Sequence, residues 1–193
     1  MSFERLVKVP AERVGALIGR RGETKKNLEK VCGVELVIDS KSGEIRVMAN
    51  TADGSDPFRA VNIVEAVGRG FSPQRALKLM EDEAVLEVID LRDYAGKSEN
   101  AMERIRGRII GLHGKSRRVI EELTGCYVSV YGRTVAIIGN MTDAKLAKDA
   151  VNMLAEGSAH KSVYQMLQRE RTKRKMEKLL LWEDQSPEMG EIR

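Results

Sequence analysis

The stretch Ile18-Gly19-Arg20-Arg21-Gly22 returns 92 residues later as Ile110-Gly111-Leu112-His113-Gly114. The flanking sequence repeats in the same register, and the matched positions are glycines, glutamates and paired cations. These matched positions are Gly15 and Gly107, Lys25-Lys26 and Arg117-Arg118, Glu29 and Glu121, and Gly33 and Gly125. A repeat that retains glycines and cations while most other residues change indicates a backbone structure built twice to bind phosphate groups.

The composition is compatible with two small domains and with an anionic partner. The chain has 193 residues, a formal net charge of +4 and a pI near 9.1. This length suits one or two domains, and the repeat favours two of roughly 80 residues each. The basic balance permits nucleic-acid binding without requiring it.

Nothing in the sequence indicates a membrane or an oxidising compartment. Cys32 and Cys126 fall at different positions of the repeat and form no CxxC pair, which indicates reduced thiols packed in an interior. No apolar stretch is long enough to span a bilayer, and the N-terminus lacks a signal-peptide pattern. We therefore predict a cytoplasmic protein.

Hydrophobic periodicity predicts the same order of elements in both repeats: strand, helix, helix, strand, strand, helix. The first unit covers residues 1–70 and the second 83–157, and a connector helix within 71–82 joins them. The second unit also contains a polar loop, Asp93 to Glu99, that the first lacks. A basic helix is predicted over 158–182, and the polar residues 183–193 are predicted to be disordered.

Each glycine loop joins two predicted helices, and its residue types suit a phosphate. The first glycine allows a sharp turn after a helix, and the second removes a side chain where a ligand backbone approaches. The following helix begins with unpaired amides and a partial positive charge. Nearby cations reinforce this charge; they are Arg20, Arg21, Lys25 and Lys26 in the first copy and Lys115, Arg117 and Arg118 in the second. An apolar groove beside the loop would accept an unpaired base, which favours single strands.

Two other interpretations of the loops are possible. Glycines that merely end helices would account for one such motif, but not for two in the same element order. The run Gly111 to Ser116 ends like a nucleotide-binding P-loop, yet Ile109 stands where that motif needs its first glycine, and Leu17 does so in the first copy. Nucleotide hydrolysis is therefore not predicted.

No catalytic constellation can be assembled from the sequence. The two histidines, His113 and His160, have no metal-ligand spacing, and the acidic residues interleave with lysine and arginine as they do on solvated helices. No serine, cysteine or histidine grouping suits nucleophilic catalysis. We predict a protein that is not an enzyme and uses no metal or cofactor.

The element order and the two GxxG loops resemble tandem type I KH domains. The resemblance implies an α+β fold: two KH domains, each a three-stranded sheet backed by helices, plus a C-terminal helix. Several further runs are similar to archaeal KH proteins related to the eukaryotic KRR and partner-of-Nob ribosome-assembly factors. These runs are Gly70-Phe71-Ser72-Pro73 with Ala76 to Leu79, Gly107 to Lys115, Val135 to Gly139, and His160 to Tyr164.

In KH domains the GxxG loop grips the sugar-phosphate backbone of about four nucleotides. The resemblance and the nearby cations together give a set of RNA-binding residues in each repeat. They are Ile18, Gly19, Arg20, Arg21, Gly22, Lys25 and Lys26, and Ile110, Gly111, Leu112, His113, Gly114, Lys115, Arg117 and Arg118. The second loop departs from the family pattern, because Leu112 and His113 stand where basic residues or glycine are common.

The resemblance further implies binding of single-stranded 16S ribosomal RNA near its 3′ end during small-subunit maturation. It implies a Nob-type endonuclease or other assembly or translation-initiation proteins as partners. The alternative is a protein-interaction scaffold in ribosome assembly or translation initiation, in which the KH units are mainly structural. The inserted loop and the tail helix would then make the contacts.

Two smaller questions stay open at the level of sequence. The basic tail helix suits a solvated helix packed by its apolar ends, a second phosphate-binding surface or a protein docking site. On the predicted middle strand of the second unit, Tyr127, Ser129 and Tyr131 lie opposite Val128 and Val130. Packing at the edge of the core is favoured over RNA contact for these three.

Overall fold

The computed structural model describes residues 2–50 and 54–183. The tail predicted to be disordered lies outside the described residues, apart from Glu183, which ends the last helix. Among the described residues, no helix combines the length and the apolar character needed to cross a membrane.

The first repeat folds into a three-stranded antiparallel sheet with order β1-β3-β2 and three helices. Its elements are β1 (Ser2–Lys8), α1 (Ala11–Ile18), a 3-10 turn (Arg20–Gly22), α2 (Glu23–Cys32), β2 (Glu35–Asp39), β3 (Glu44–Asn50) and α3 (Pro57–Gly68). Most apolar residues of these elements face one core, in which Leu17, Leu36 and Ile45 are fully buried, whereas Leu6 and Phe58 are more than half exposed. Asp56 caps α3 by accepting the Arg59 N–H at 3.0 Å, and Pro57 takes the first position.

The second repeat has the same topology, with sheet order β4-β6-β5. The connector is a single turn, α4 (Pro73–Ala76), followed by a 3-10 turn (Leu77–Met80). Next come β4 (Ala84–Asp90), α5 (Arg92–Ala95), α6 (Glu99–Ile110), a 3-10 turn (Leu112–Gly114), α7 (Lys115–Thr124), β5 (Tyr127–Tyr131), β6 (Thr134–Asn140), α8 (Met141–Ala155) and α9 (His160–Glu183). The predicted α+β fold with two three-stranded sheets is confirmed.

The inserted stretch in the second repeat is more ordered than predicted. Instead of a loop from Asp93 to Glu99, the structure places α5 over Arg92–Ala95 and begins α6 at Glu99. Tyr94 and Ala95 pack against the second core, and these two residues give the polar stretch its inward side. Ser98 caps α6 by accepting the Ala101 N–H.

The two sheets differ in what covers their outer faces. On β3 buried and exposed residues alternate, whereas Thr134 to Ile138 on β6 are all buried. Val135 and Ile137 face the core of the second repeat, while Ala136 and Ile138 belong to the core of the first. The second sheet is therefore sandwiched between its own helices and the first repeat with its connector.

Polar contacts also join the two repeats. The Ser129 hydroxyl donates to the Arg69 carbonyl at 2.9 Å, and the Tyr131 hydroxyl is hydrogen-bonded to Glu12. The Arg75 guanidinium lies over the Tyr127 ring, 5.1 Å from its centre. The three residues on this face of β5 thus pack between the repeats. The sequence also favours packing over RNA contact for them.

The tail helix α9 is fastened near its start and exposed near its end. Val163 and Leu167 are buried in the second core, and Arg174 is paired with Asp143 on α8. Met176, Leu179 and Leu180 are each more than half exposed. The structure therefore bears out packing only for the first of the two apolar ends.

Candidate nucleic-acid interface

The two glycine loops have the same backbone geometry. The first glycine has φ 72° in both copies, with ψ −179° at Gly19 and 174° at Gly111. The third residue is left-handed without being glycine, with φ 52° at Arg21 and 50° at His113. The last glycine is left-handed too, with φ 77° at Gly22 and 74° at Gly114. Because left-handed conformation is unfavourable for residues with a Cβ, its recurrence at Arg21 and His113 marks a defined structure.

The first glycine of each loop has no room for a side chain. A Cβ at Gly19 would overlap the Thr24 hydroxyl and lie 2.7 Å from the Thr24 Cβ. A Cβ at Gly111 would lie 2.7 Å from both the backbone N and the Cβ of Ser116. The loop is therefore folded tightly onto the first turn of the helix that follows it.

The second glycine of each loop is open. A Cβ built on Gly22 or Gly114 would meet no atom within 4 Å. Helices α2 and α7 begin at the next residue, so their amino-terminal amides and partial positive charge lie beside this open position. The loop therefore leaves its backbone uncovered at this position, beside the start of the helix.

The two loops differ in the side chains at their tips. Arg20 and Arg21 are exposed in the first loop, where Glu23 occupies the first turn of α2. In the second loop Leu112 is 79% exposed, and Lys115 begins α7. The Arg118 guanidinium donates to the His113 carbonyl at 2.9 Å, and so supports the loop from behind. The first loop is the more cationic, and the second offers an apolar contact.

Two of the predicted RNA-binding cations lie beside a recurring glutamate. Glu29 accepts the Leu36 N–H at 2.9 Å, and Glu121 accepts the Val128 N–H at 2.8 Å. Lys25 lies 3.5 Å from Glu29, and Arg117 lies 3.9 Å from Glu121. These cations lie in the first turns of α2 and α7, and each is paired with the glutamate that contacts the following strand. In both repeats the sequence places a glutamate four residues after the cation, and this spacing could have predicted the ion pair.

These glutamate contacts also show which backbone groups face the free edges of β2 and β5. Strands β2 and β5 are at sheet edges, so one side of each has no neighbouring strand. Because the Leu36 and Val128 N–H groups point to this side, alternation along an antiparallel pair points those of Ile38 and Val130 the same way. The N–H and C=O groups of Ile38 and Val130 therefore also face the free edge of their sheets, a feature that was not predicted from the sequence.

Each loop is preceded by a glycine inside a helix. Gly15 on α1 and Gly107 on α6 lie one turn before the loop, and their carbonyls accept the N–H groups of Gly19 and Gly111 at 2.9 and 2.8 Å. Both are exposed, and a Cβ at either would meet nothing within 4 Å. Glycine in an exposed helix is unfavourable by about 1 kcal/mol relative to alanine, so its presence in both copies points to a ligand that comes close.

Other reactive groups are buried or dispersed. Burial raises the pKa values of the Cys32 and Cys126 thiols to about 11, so neither is a thiolate at neutral pH. His160 lies with Nε2 2.9 Å from the Arg108 carbonyl, in a packing position. Within residues 2–50 and 54–183 no cluster of three metal-ligating side chains occurs.

Comparison with known proteins agrees with this geometry. Residues 4–63 match the KH domain family, and residues 85–172 match the eukaryotic type KH domain, a type I KH domain. A KH domain-containing protein of Methanocaldococcus jannaschii is 50% identical over 184 residues, which cover 94% of this chain and 80% of that protein. The chain belongs to the KH-domain family and contains two type I KH domains.

Two solved structures narrow the relationship within that family. Dim2p from Pyrococcus horikoshii is 46% identical, with a TM-score of 0.80 over 86% of this chain and 99% of that one. The structure of the a/eIF2alpha-aDim2p-rRNA complex from the same organism gives 43% identity and a TM-score of 0.83, over 89% and 96% of the two chains. The predicted resemblance to archaeal tandem KH proteins of the partner-of-Nob type is confirmed.

Proposed function

We propose that this protein binds single-stranded RNA through both GxxG loops and assists maturation of the small ribosomal subunit. The observation that carries the proposal is the loop geometry. Gly22 and Gly114 present open, left-handed backbone at a helix start in both copies. Such a position suits a phosphate because amide groups and the helix dipole act together.

Bases would lie in the groove beside each loop. One wall is the helix that contains Gly15 or Gly107, and the other is the free edge of β2 or β5. The Ile38 and Val130 backbones would contact the base edges, and the grip would cover about four nucleotides per domain. Exposed cations around each loop then set the salt dependence of binding.

For the target we propose 16S ribosomal RNA near its 3′ end, with a Nob-type endonuclease as a partner. Support comes from the similar aDim2p, which was solved with rRNA and a/eIF2alpha. A fragment with the 3′-terminal sequence of 16S rRNA should bind more tightly than a shuffled fragment of equal length. Equal affinity for the two would exclude the target while leaving RNA binding by the loops intact.

Aspartate substitutions in the loops test whether the loops bind phosphate. Arg20→Asp with Arg21→Asp in the first loop, and Leu112→Asp with His113→Asp in the second, place carboxylates where phosphate should lie. Asp tolerates left-handed backbone better than most residues, so the fold should be retained. Each phosphate that the variant no longer binds should lower the salt slope by roughly 0.7 for a single strand.

Fluorescence anisotropy with single-stranded RNA at several salt concentrations gives both affinity and slope. Lys145→Asp with Lys161→Asp is a matched control, because both lysines are exposed and lie on α8 and α9. We expect at least tenfold weaker binding for each loop variant, which corresponds to about 1.4 kcal/mol. Unchanged affinity in folded loop variants would disprove the proposal.

The second candidate function is a protein-interaction scaffold. It is favoured by the exposed apolar residues Met176, Leu179 and Leu180 near the end of α9. Replacing all three with serine should weaken binding to the archaeal initiation factor a/eIF2alpha, measured by calorimetry, if this surface is the docking site. The scaffold function would prevail over RNA binding if partner affinity were insensitive to salt and no RNA affinity were measurable.

A further inference from the structure

A cleft of about 580 Å³ separates the two KH domains on the side of β1. One wall is the end of β1, from Arg5 to Lys8, together with α3. The other wall is the β5–β6 turn, at Gly132 and Arg133, with the end of β4 and the start of α5. Since β1 is the edge of the first sheet opposite β2, the cleft is distinct from the first groove.

The cleft is strongly basic. Five cations and two carboxylates line it; they are Arg5, Lys8, Arg69, Arg92 and Arg133, with Glu65 and Asp90. Both carboxylates are already neutralised, because Glu65 lies 3.1 Å from Arg69 and Asp90 is paired with Arg92. Hydrogen bonds from Arg92 hold the pKa of Asp90 down at about 2, so this pair is charged and compensated at neutral pH.

The remaining cations are available to a ligand. Arg5 and Lys8 form no ion pair with any described residue, and both are exposed. Arg133 lies 3.7 Å from Glu99, and both side chains are largely exposed, so water screens this pair. Three mobile cations that face one cavity from two domains suit a polyanion with phosphates along its length.

The position of the cleft relates it to the second groove. The Arg106 guanidinium, on α6, donates to the Gly132 carbonyl at 3.2 Å, which closes the end of that groove at the β5–β6 turn. Arg133 is the next residue and already lines the cleft. Arg92 belongs to α5, a helix that the first repeat lacks, so this part of the wall is a feature of the second repeat alone.

We propose that this cleft binds the phosphodiester backbone of RNA that continues past the β5–β6 turn from the second groove. The proposal rests on the proposed function, since it requires a strand in the second groove. It assigns to Arg5, Lys8 and Arg133 phosphate contacts outside both GxxG loops. RNA longer than the four nucleotides of one grip then gains affinity from the first domain without using the first loop.

The test compares a four-nucleotide single-stranded RNA with the same RNA extended by eight nucleotides at either end. Every variant is made in the full chain with Arg20→Asp and Arg21→Asp, so that the first loop cannot hold the extension. The cleft variant is Arg5→Gln with Lys8→Gln, and Arg133→Gln tests the other wall separately. Lys145→Gln with Lys161→Gln is the matched control, and thermal unfolding verifies that each variant is folded.

We expect the cleft variant to bind the four-nucleotide RNA as its parent does, and to bind one of the extended RNAs about tenfold more weakly. Removal of two cations that each bind a phosphate should lower the salt slope for that RNA by about 1.4. Unchanged affinity for both extended RNAs would overturn the cleft assignment, and so would an equal decrease in the control. If the free edge of β1 instead pairs with a peptide strand, the affinity of the cleft variant for both extended RNAs should be unchanged.

Failure of the proposed function gives a different pattern. If Leu112→Asp with His113→Asp leaves the affinity for the four-nucleotide RNA unchanged, the second loop is not the grip, and both proposals fall. If that variant loses affinity while the cleft variant does not, only the cleft assignment fails.

Discussion

The Glu121 carboxylate accepts the Val128 N–H at 2.8 Å, and thereby ties α7 to the free edge of β5. Glu29 and Leu36 form the same bond in the first repeat, at 2.9 Å. In each repeat the helix after the GxxG loop is thus joined by one side chain to the strand edge that forms one wall of the groove. Arg75 and Arg117 lie 3.5 and 3.9 Å from Glu121 and compensate its charge.

Replacing Glu121 should destabilise the protein, because this residue joins α7 to β5. Glu121→Ala leaves the Val128 N–H without its acceptor, at a cost of about 1–3 kcal/mol. Glu121→Gln retains an acceptor and should cost less than Glu121→Ala. Urea denaturation monitored by circular dichroism measures both, and equal destabilisation by Ala and Gln would show that the hydrogen bond is not what matters.

The helical glycines should separate stability from binding. Gly107→Ala adds a methyl group in open space on an exposed helix, so the protein should become more stable by about 1 kcal/mol. The same methyl group would obstruct an RNA strand bound in the second groove, so the affinity for RNA should fall. Thermal unfolding and anisotropy give the two readouts, with Gly15→Ala as the matched change in the first domain. Increased stability with unchanged affinity would mean that RNA does not approach α6.

The two glycines of a loop should differ in their tolerance of alanine. Gly114→Ala meets only the strain of left-handed backbone, about 1–2 kcal/mol. Gly111→Ala meets greater backbone strain, because φ 72° with ψ 174° is open almost only to glycine, and it also places its Cβ 2.7 Å from the backbone N of Ser116, so it should cost clearly more. Chemical denaturation compares the two variants. Equal destabilisation would contradict the tight turn assigned to the first glycine.

The interface between the domains should depend on Ala136. This residue is fully buried between the repeats, whereas Arg46, at the matching position of the first sheet, is exposed. Ala136→Arg buries an unpaired charge and should cost more than about 3 kcal/mol. Arg46→Ala removes only a surface ion pair with Glu4 and should change stability by less than about 1 kcal/mol. Calorimetry measures the unfolding temperature and enthalpy. Values for Ala136→Arg equal to those of the unmodified protein would refute the shared core.

The order of elements could be predicted from the sequence because it depends on local features. Glycine and proline positions, such as Gly33 and Pro57, end or begin helices, and the helix bounds agree with this pattern. Both GxxG loops could likewise be located, since two short motifs in register leave little room for chance. The RNA-binding roles of their residues stay predictions.

The roles that could not be predicted depend on contacts between distant parts of the chain. The ion pairs of Lys25 and Arg117 are a local exception, because a glutamate stands four residues after each in the sequence. The run from Val135 to Ile138 lacks polar alternation, which is typical of a strand covered on both faces. Which part of the chain supplies the second cover, however, is set by the docking of the two repeats.

The burial of Ala136 and Ile138 in the neighbouring core has a geometrical consequence for long ligands. Because the second sheet cannot slide on the first repeat without exposing this surface, packing opposes changes in the spacing between the two GxxG loops. For a polymer bound at both loops, this spacing sets the smallest number of nucleotides that can link its two bound segments.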